Sequence, residues 1–218
     1  MRVCHIIETA GGGSGQVVID LARAGLAAGD DTTVIYAPNR AEPPFVTSLS
    51  AIPELSLLAT PMRREVGPHD FIDAWRLYRC LRLAGPFDVL HGHSSKAGAL
   101  VRILGLFFPD SIKIYTPHAF VTMAPGVSRF CGIIERVLSL LCDSVIAVSE
   151  AEREHAVVHI GIDETKIAVI PNGVYVGPCD RAAARRELGY GADELIFGFV
   201  GRLLPQKNPL RVIEAGCF

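Results

Sequence analysis

Basic residues are in no excess in this chain. The 218 residues carry 21 Lys and Arg against 23 Asp and Glu, a formal net charge of −2. A surface that neutralises nucleic-acid phosphates needs a cationic surplus, so no nucleic-acid partner is expected. No apolar run reaches the ~18 residues of a membrane span. Nor does a basic segment with an apolar core open the chain, because residues 1–7 run straight into a strand pattern; a cytoplasmic protein is expected. The six cysteines (Cys4, Cys80, Cys131, Cys142, Cys179, Cys217) lack any C-x-x-C spacing, which predicts reduced core thiols in place of a zinc site or disulfide framework. The glycine-rich stretch near the start lacks a third glycine, with Gln16 where G-x-G-x-x-G needs it, and has no Gly-Lys-Ser/Thr. It is therefore neither a dinucleotide fingerprint nor a P-loop.

Half of the residues are hydrophobic and one fifth are charged, which is the composition of a globular chain with a large core. Residues 1–29 set the pattern. Val3, Cys4, Ile6 and Ile7 form a buried-strand run, Gly11, Gly12, Gly13 and Gly15 permit a sharp turn, and Val17, Val18, Leu21 and Leu26 carry a helical stripe. Loop amides at a helix start suit an anion such as phosphate. The same glycines also suit a turn that only packs a helix onto a sheet.

Strand and helix signals then alternate. Strands are expected at 32–37, 55–59, 88–92, 113–116, 144–148 and 166–170, with a proline-rich loop over 38–53. Helices are expected at 69–84, 94–108 and 127–142, and from Ser149, which with Glu152 forms a capping box, to about Gly161. Such alternation specifies a parallel sheet wrapped by right-handed crossovers, a Rossmann-like α/β domain. After Pro178 the pattern restarts with a helix over 180–188, Gly189 as its C-cap, a strand over 195–200 and a helix over 208–215. Residues 1–178 are thus expected as one domain and 179–218 as a linker helix with the first βα unit of a second.

Ligands of open parallel sheets lie beyond the carboxyl ends of the strands. The candidates there are the glycine run, His91 and His93, His118 behind the stiff Thr116-Pro117 step, and Ser149. His91 and His93, at i and i+2, suit a metal, but no carboxylate or thiol is spaced nearby, so none is expected.

The runs GGGSG (11–15), DVLHGHSSKAG (88–98), YTPHAF (115–120), DSVIAVSEAERE (143–154), KIAVIPNGV (166–174) and FVGRLLPQKNP (199–209) resemble, in order, the N-terminal domain of the family 4 glycosyltransferases. That family has the GT-B fold of two facing Rossmann-like domains and transfers sugars with retention. The HSSKAG and TPHAF forms are most similar to enzymes of bacterial exopolysaccharide and lipopolysaccharide assembly. The resemblance implies a nucleotide diphosphate sugar as donor and a lipid-linked acceptor, with no cofactor and no metal. It places His118 at the transferred sugar and assigns the donor diphosphate to Gly12, Gly13, Arg202 and Lys207, while His93, Ser149 and Asn172 line the acceptor side of the cleft. Cations and amides there would stabilise charge on the departing diphosphate.

The family's downstream Glu-x7-Glu segment is absent from the 218 residues, so the expectation is a truncated second domain, inactivity of the chain alone, and a homodimer through the unpaired strand 195–200. A helix carrying Arg76, Arg79 and Arg82 beside Phe71, Ile72, Trp75 and Tyr78 is compatible with peripheral docking at the inner membrane face. Two alternatives remain at this point: a non-catalytic nucleotide- or phosphosugar-binding module, and an NAD-dependent dehydrogenase. The latter needs an acidic residue closing the second strand, where Tyr36-Ala37-Pro38 stands.

Overall fold

The structure is a computed structural model that describes residues 1–63, 65–124, 126–174, 177–201, 203 and 207–216. It falls into two compact units, Met1–Gly173 and Val174–Phe218.

The first unit is a seven-stranded, wholly parallel sheet in the order β3-β2-β1-β4-β5-β6-β7. Its strands are β1 (Arg2–Ile7), β2 (Asp31–Tyr36), β3 (Ser56–Ala59), β4 (Val89–His93), β5 (Ile112–Thr116), β6 (Ser144–Ala147) and β7 (Ile167–Val169). The helices are α1 (Gly12–Ala27), α2 (Pro43–Ser50), α3 (Asp70–Ala84), α4 (Ser95–Leu104), α5 (Arg129–Ser139) and α6 (Glu150–Glu154). This is the Rossmann-like fold expected. Strand order reverses between β1 and β4, so the crevice of such a sheet lies beyond the carboxyl ends of those two neighbours.

Each face of the sheet buries its own cluster. Cys4, Ile6 and Leu90 pack with Leu77 and Leu81 of α3 and Val101 of α4, whereas Ile7 packs with Val18 and Ile19 of α1 and Phe45 and Leu49 of α2. One contact is close enough to demand glycine. A Cβ on Gly92 of β4 would lie 2.8 Å from the Cα of Gly98 in α4, so helix and strand touch backbone to backbone. That approach seats the start of α4 beside the end of β4.

Two local expectations are corrected and one is met with a change of bonding. Residues 43–50, read as loop, are helix α2: Pro43 occupies a first-turn position, where its missing N–H costs nothing, and Phe45 and Leu49 share the buried face. The helix expected from Ser149 to about Gly161 forms: beyond α6 it continues to Ile160, with π-type bonding over His155–Ile160, and ends on Gly161 at φ 81.

The other correction concerns the second unit, where α7 (Arg181–Glu187) and α8 (Pro209–Ala215) form but 195–200 is not a strand. A parallel strand takes its hydrogen bonds from neighbours, and among the described residues this unit offers none. Asp180 caps α7, accepting from the amides of Ala182 and Ala183.

Candidate active site

The carboxyl ends of β1, β4, β5 and β6 gather the chemistry. Side chains alternate along a strand, and in the β1–β4 register His5 lies opposite His91 and Ile7 opposite His93, so the three imidazoles share one face. His5 Nδ1 lies 3.2 Å from His93 Nε2, and His93 Nδ1 lies 3.1 Å from Nε2 of His118, beyond β5. His91 Nε2 is 2.8 Å from Thr116 Oγ1. His5, His91 and His93 are buried, and His118 is partly so. Desolvation pushes His5 and His118 down to about 4, and drives His91 and His93 well below the ordinary histidine value. All four are neutral at pH 7.

His118 stands on a strained turn. It and Ala119 both have positive φ, at 52° and 80°, and Ser94 at the end of β4 has φ 66°. Non-glycine residues hold such angles only where surroundings over-determine them, and these positions cluster at functional sites. The turn is held by Glu152 of α6, which is 2% exposed. Its Oε1 accepts the Ala119 amide at 2.5 Å and its Oε2 the Val148 amide at 2.6 Å. Only half of the expected capping box exists: Ser149 Oγ accepts from the Glu152 amide at 3.2 Å, but the Glu152 carboxylate is spent on the His118 turn. Sequence reasoning named Glu152 as a cap and missed this role.

The glycine turn brings a second surprise. Gly12 opens α1 at φ 56°, and its amide lies 3.3 Å from Glu42 Oε2. A Cβ on Gly11 would fall 2.4 Å from the Glu42 carboxyl carbon. A protein carboxylate thus occupies the amide expected to receive phosphate. Beside it, Arg40 Nε pairs with Glu8 Oε1 at 2.7 Å, and Arg40 Nη2 reaches Thr9 Oγ1 at 3.2 Å. Glu8, Arg40 and Glu42 had no motif to announce them.

The other expected site residues divide. Gly12, Gly13, His93, His118 and Ser149 all lie at strand ends or helix starts of this one sheet, although β4 runs to His93, so that residue is in the strand and fully buried. Asn172 is exposed beyond β7. Lys207 is exposed in the second unit, and Arg202 lies outside the described residues. Cys4 and Cys142 are buried free thiols, whereas Cys179 is exposed.

His5 is the partner that chain spacing could not show. The ligand nitrogens of His5, His91 and His93 lie within 4.8 Å of one another. Two of these three rings already bond each other, His5 Nδ1 to His93 Nε2. His5 and His93 belong to a hydrogen-bonded chain that runs on to His118, with His91 bonded to Thr116.

The sequence profile of Glycosyltransferase Family 4 matches residues 11–176, which is most of the chain. The chain belongs to that family. It is 32% identical over 147 residues to the Escherichia coli UDP-Gal:alpha-D-GlcNAc-diphosphoundecaprenol alpha-1,3-galactosyltransferase, covering 64% of this chain and 38% of that protein. A D-inositol 3-phosphate glycosyltransferase of Geodermatophilus obscurus is 40% identical over 148 residues, covering 60% of this chain and 31% of that protein. In fold, the chain matches the crystal structure of Anabaena HepE in complex with UDP-glucose, with a TM-score of 0.69 and 21% identity, covering 98% of this chain and 57% of that one. This family member therefore spans well under two thirds of the length of these relatives. Its first unit has the Rossmann-like architecture of GT-B glycosyltransferases. No helix among the described residues is long and apolar enough to cross a membrane.

Proposed function

We propose that the chain supplies the acceptor-side domain of a retaining glycosyltransferase of polysaccharide assembly, which moves a sugar from a nucleotide diphosphate to a lipid-linked acceptor. The observation that carries this reading is His118, presented by a strained and buttressed turn at the carboxyl end of β5 in a chain of this family. In the reaction an acceptor hydroxyl oxygen bonds the anomeric carbon, the bond from that carbon to the diphosphate breaks, and the hydroxyl proton ends on the departing diphosphate. Charge grows on phosphate oxygens, where Arg202, Lys207 and the Gly12–Gly13 amides would stabilise it without a metal. His118 would hold the transferred sugar by hydrogen bond.

The E. coli relative's diphosphoundecaprenol acceptor and the UDP-glucose held by HepE support the two substrate classes. A lipid-linked acceptor also gives a role to the outer face of α3. Leu77 and Leu81 of that helix are buried, but Phe71 is 82% exposed and Trp75 57%, beside exposed Arg76, Arg79 and Arg82. Residues 174–218 are assigned to the start of the donor domain.

Two experiments test the reading. Saturation-transfer NMR with UDP-glucose, GDP-mannose and NAD should show contact with a sugar nucleotide and not with NAD. In a transfer-active enzyme that contains this domain, His118→Ala should cost about 2–4 kcal/mol of barrier, roughly 30- to 1,000-fold in transfer rate. Transfer within about threefold of the parent removes His118 from the mechanism.

A further inference from the structure

The contacts among His5, His93 and His118 restrict where protons can sit. A neutral imidazole carries one N–H, so His93, bonded through both nitrogens, donates one way and accepts the other. Only two settings satisfy both bonds. In the outward one, His5 Nδ1–H donates to His93 Nε2, His93 Nδ1–H donates to His118 Nε2, and His118 keeps its proton on Nδ1. In the inward one every donor reverses, and Nδ1 of His118 is a bare lone pair.

His5 decides between them. Its Nε2 has no hydrogen-bond partner among the described residues, and its ring is buried. The inward setting would put the His5 proton on that nitrogen, in a ring only 5% exposed and with no acceptor among the described residues. The outward setting leaves only an unused lone pair, the cheaper defect. Burial, which keeps the rings neutral, preserves the one-proton rule.

We propose that His93, anchored by His5, is a positioning residue that holds His118 in its Nδ1–H tautomer, so that the group His118 offers the cleft is a hydrogen-bond donor. This rests on the reading that His118 meets the transferred sugar. The ligand atom it selects is then an acceptor, a sugar ring or hydroxyl oxygen, and not a hydroxyl that must give its proton away. His91 stands aside from the chain, bonded to Thr116.

The test is the imidazole ¹⁵N spectrum of the 218-residue chain at pH 7, by solution or magic-angle-spinning NMR, with His118 assigned by its loss in His118→Asn. The expected result is a pyrrole-type Nδ1 and a pyridine-type Nε2 at His118. In His93→Phe the constraint goes, and His118 should shift toward the Nε2–H form that free imidazoles prefer. His93→Asn, whose amide can donate from the place of Nδ1, should restore the Nδ1–H form. A pyrrole-type Nε2 at His118 in the unsubstituted chain overturns the proposal, even if both variants fail to fold. So does an unchanged His118 spectrum in His93→Phe. Stoichiometric zinc uptake that shifts His5, His91 and His93 overturns it in favour of a metal centre. None of these readouts needs turnover: if His118→Ala leaves transfer intact while the tautomer result holds, the functional reading fails and the tautomer assignment stands.

Discussion

Glu152 Oε1 sits 2.5 Å from the amide of Ala119, and so a residue on α6 fixes the turn that presents His118 after β5. The same carboxylate accepts the Val148 amide, which ties the ends of β5 and β6 together. Removing it leaves two N–H groups without their partner at a turn with two consecutive positive φ angles. Glu152→Ala should therefore destabilise the first unit by about 2–4 kcal/mol, and hydrogen exchange at Ala119 should quicken more than exchange in β1. A loss under about 0.5 kcal/mol in urea unfolding, with unchanged Ala119 protection, would show that the turn holds itself.

Glu42 makes a prediction of opposite sign. Its carboxylate lies against the Gly12 amide, where a donor phosphate is expected to bind. Like charge disfavours the anion, and at an exposed site the penalty is of the order of 0.5–1 kcal/mol. Glu42→Gln should thus tighten UDP binding about two- to fivefold in calorimetry. Weaker binding would mean that Glu42 orients the ligand in place of guarding the amide.

The buried histidines set an acid limit. His5 and His118 have folded values near 4, below the unfolded 6.5. Between those values the unfolded chain binds more protons than the folded one, so stability is full above about pH 6.5 and falls as pH drops toward 4. Each of the two contributes a slope of up to about 1.4 kcal/mol per pH unit, and His91 and His93 add to it in the same direction. The urea midpoint should fall between pH 6.5 and 5, before most carboxylates titrate. A flat midpoint across that window would show that the imidazoles are hydrated in solution.

Much of this was legible in the chain because strands buried on both faces read as apolar runs, and β1, β2, β4, β5 and β6 announce themselves that way. His118 was visible for a local reason, the Thr116-Pro117 step that ends its strand. His5 was not, since its partnership with His93 spans 88 residues and depends on β1 and β4 being neighbours, which is a property of strand order. Glu152 was hidden by an equally good local role as half of a cap. Helix α2 was hidden by Pro43 and Pro44, which read as breakers although proline suits a first turn. The i, i+4 pair Phe45 and Leu49 was the signal that could have found it.

The segment 195–200 failed for a different reason, and it yields the last prediction. Leu195, Phe197 and Val200 are strand formers, and all three are exposed, Leu195 at 82% and Phe197 at 67%. Residues 194–200 make no ladder hydrogen bonds among the described residues. Backbone groups and apolar side chains presented together are what a second chain can pair with and cover, and burying a side chain of this size is worth about 1.5–3 kcal/mol. The purified 218-residue chain should accordingly self-associate, giving a light-scattering mass above its 23.5 kDa that rises with concentration. Paired substitution Leu195→Lys with Phe197→Lys should return it to the monomer mass without altering the melting of the sheet unit, whose core holds neither residue. A parent chain that stays monomeric at tens of micromolar would show that these side chains are covered within one molecule, and that residues 174–218 make a self-sufficient unit.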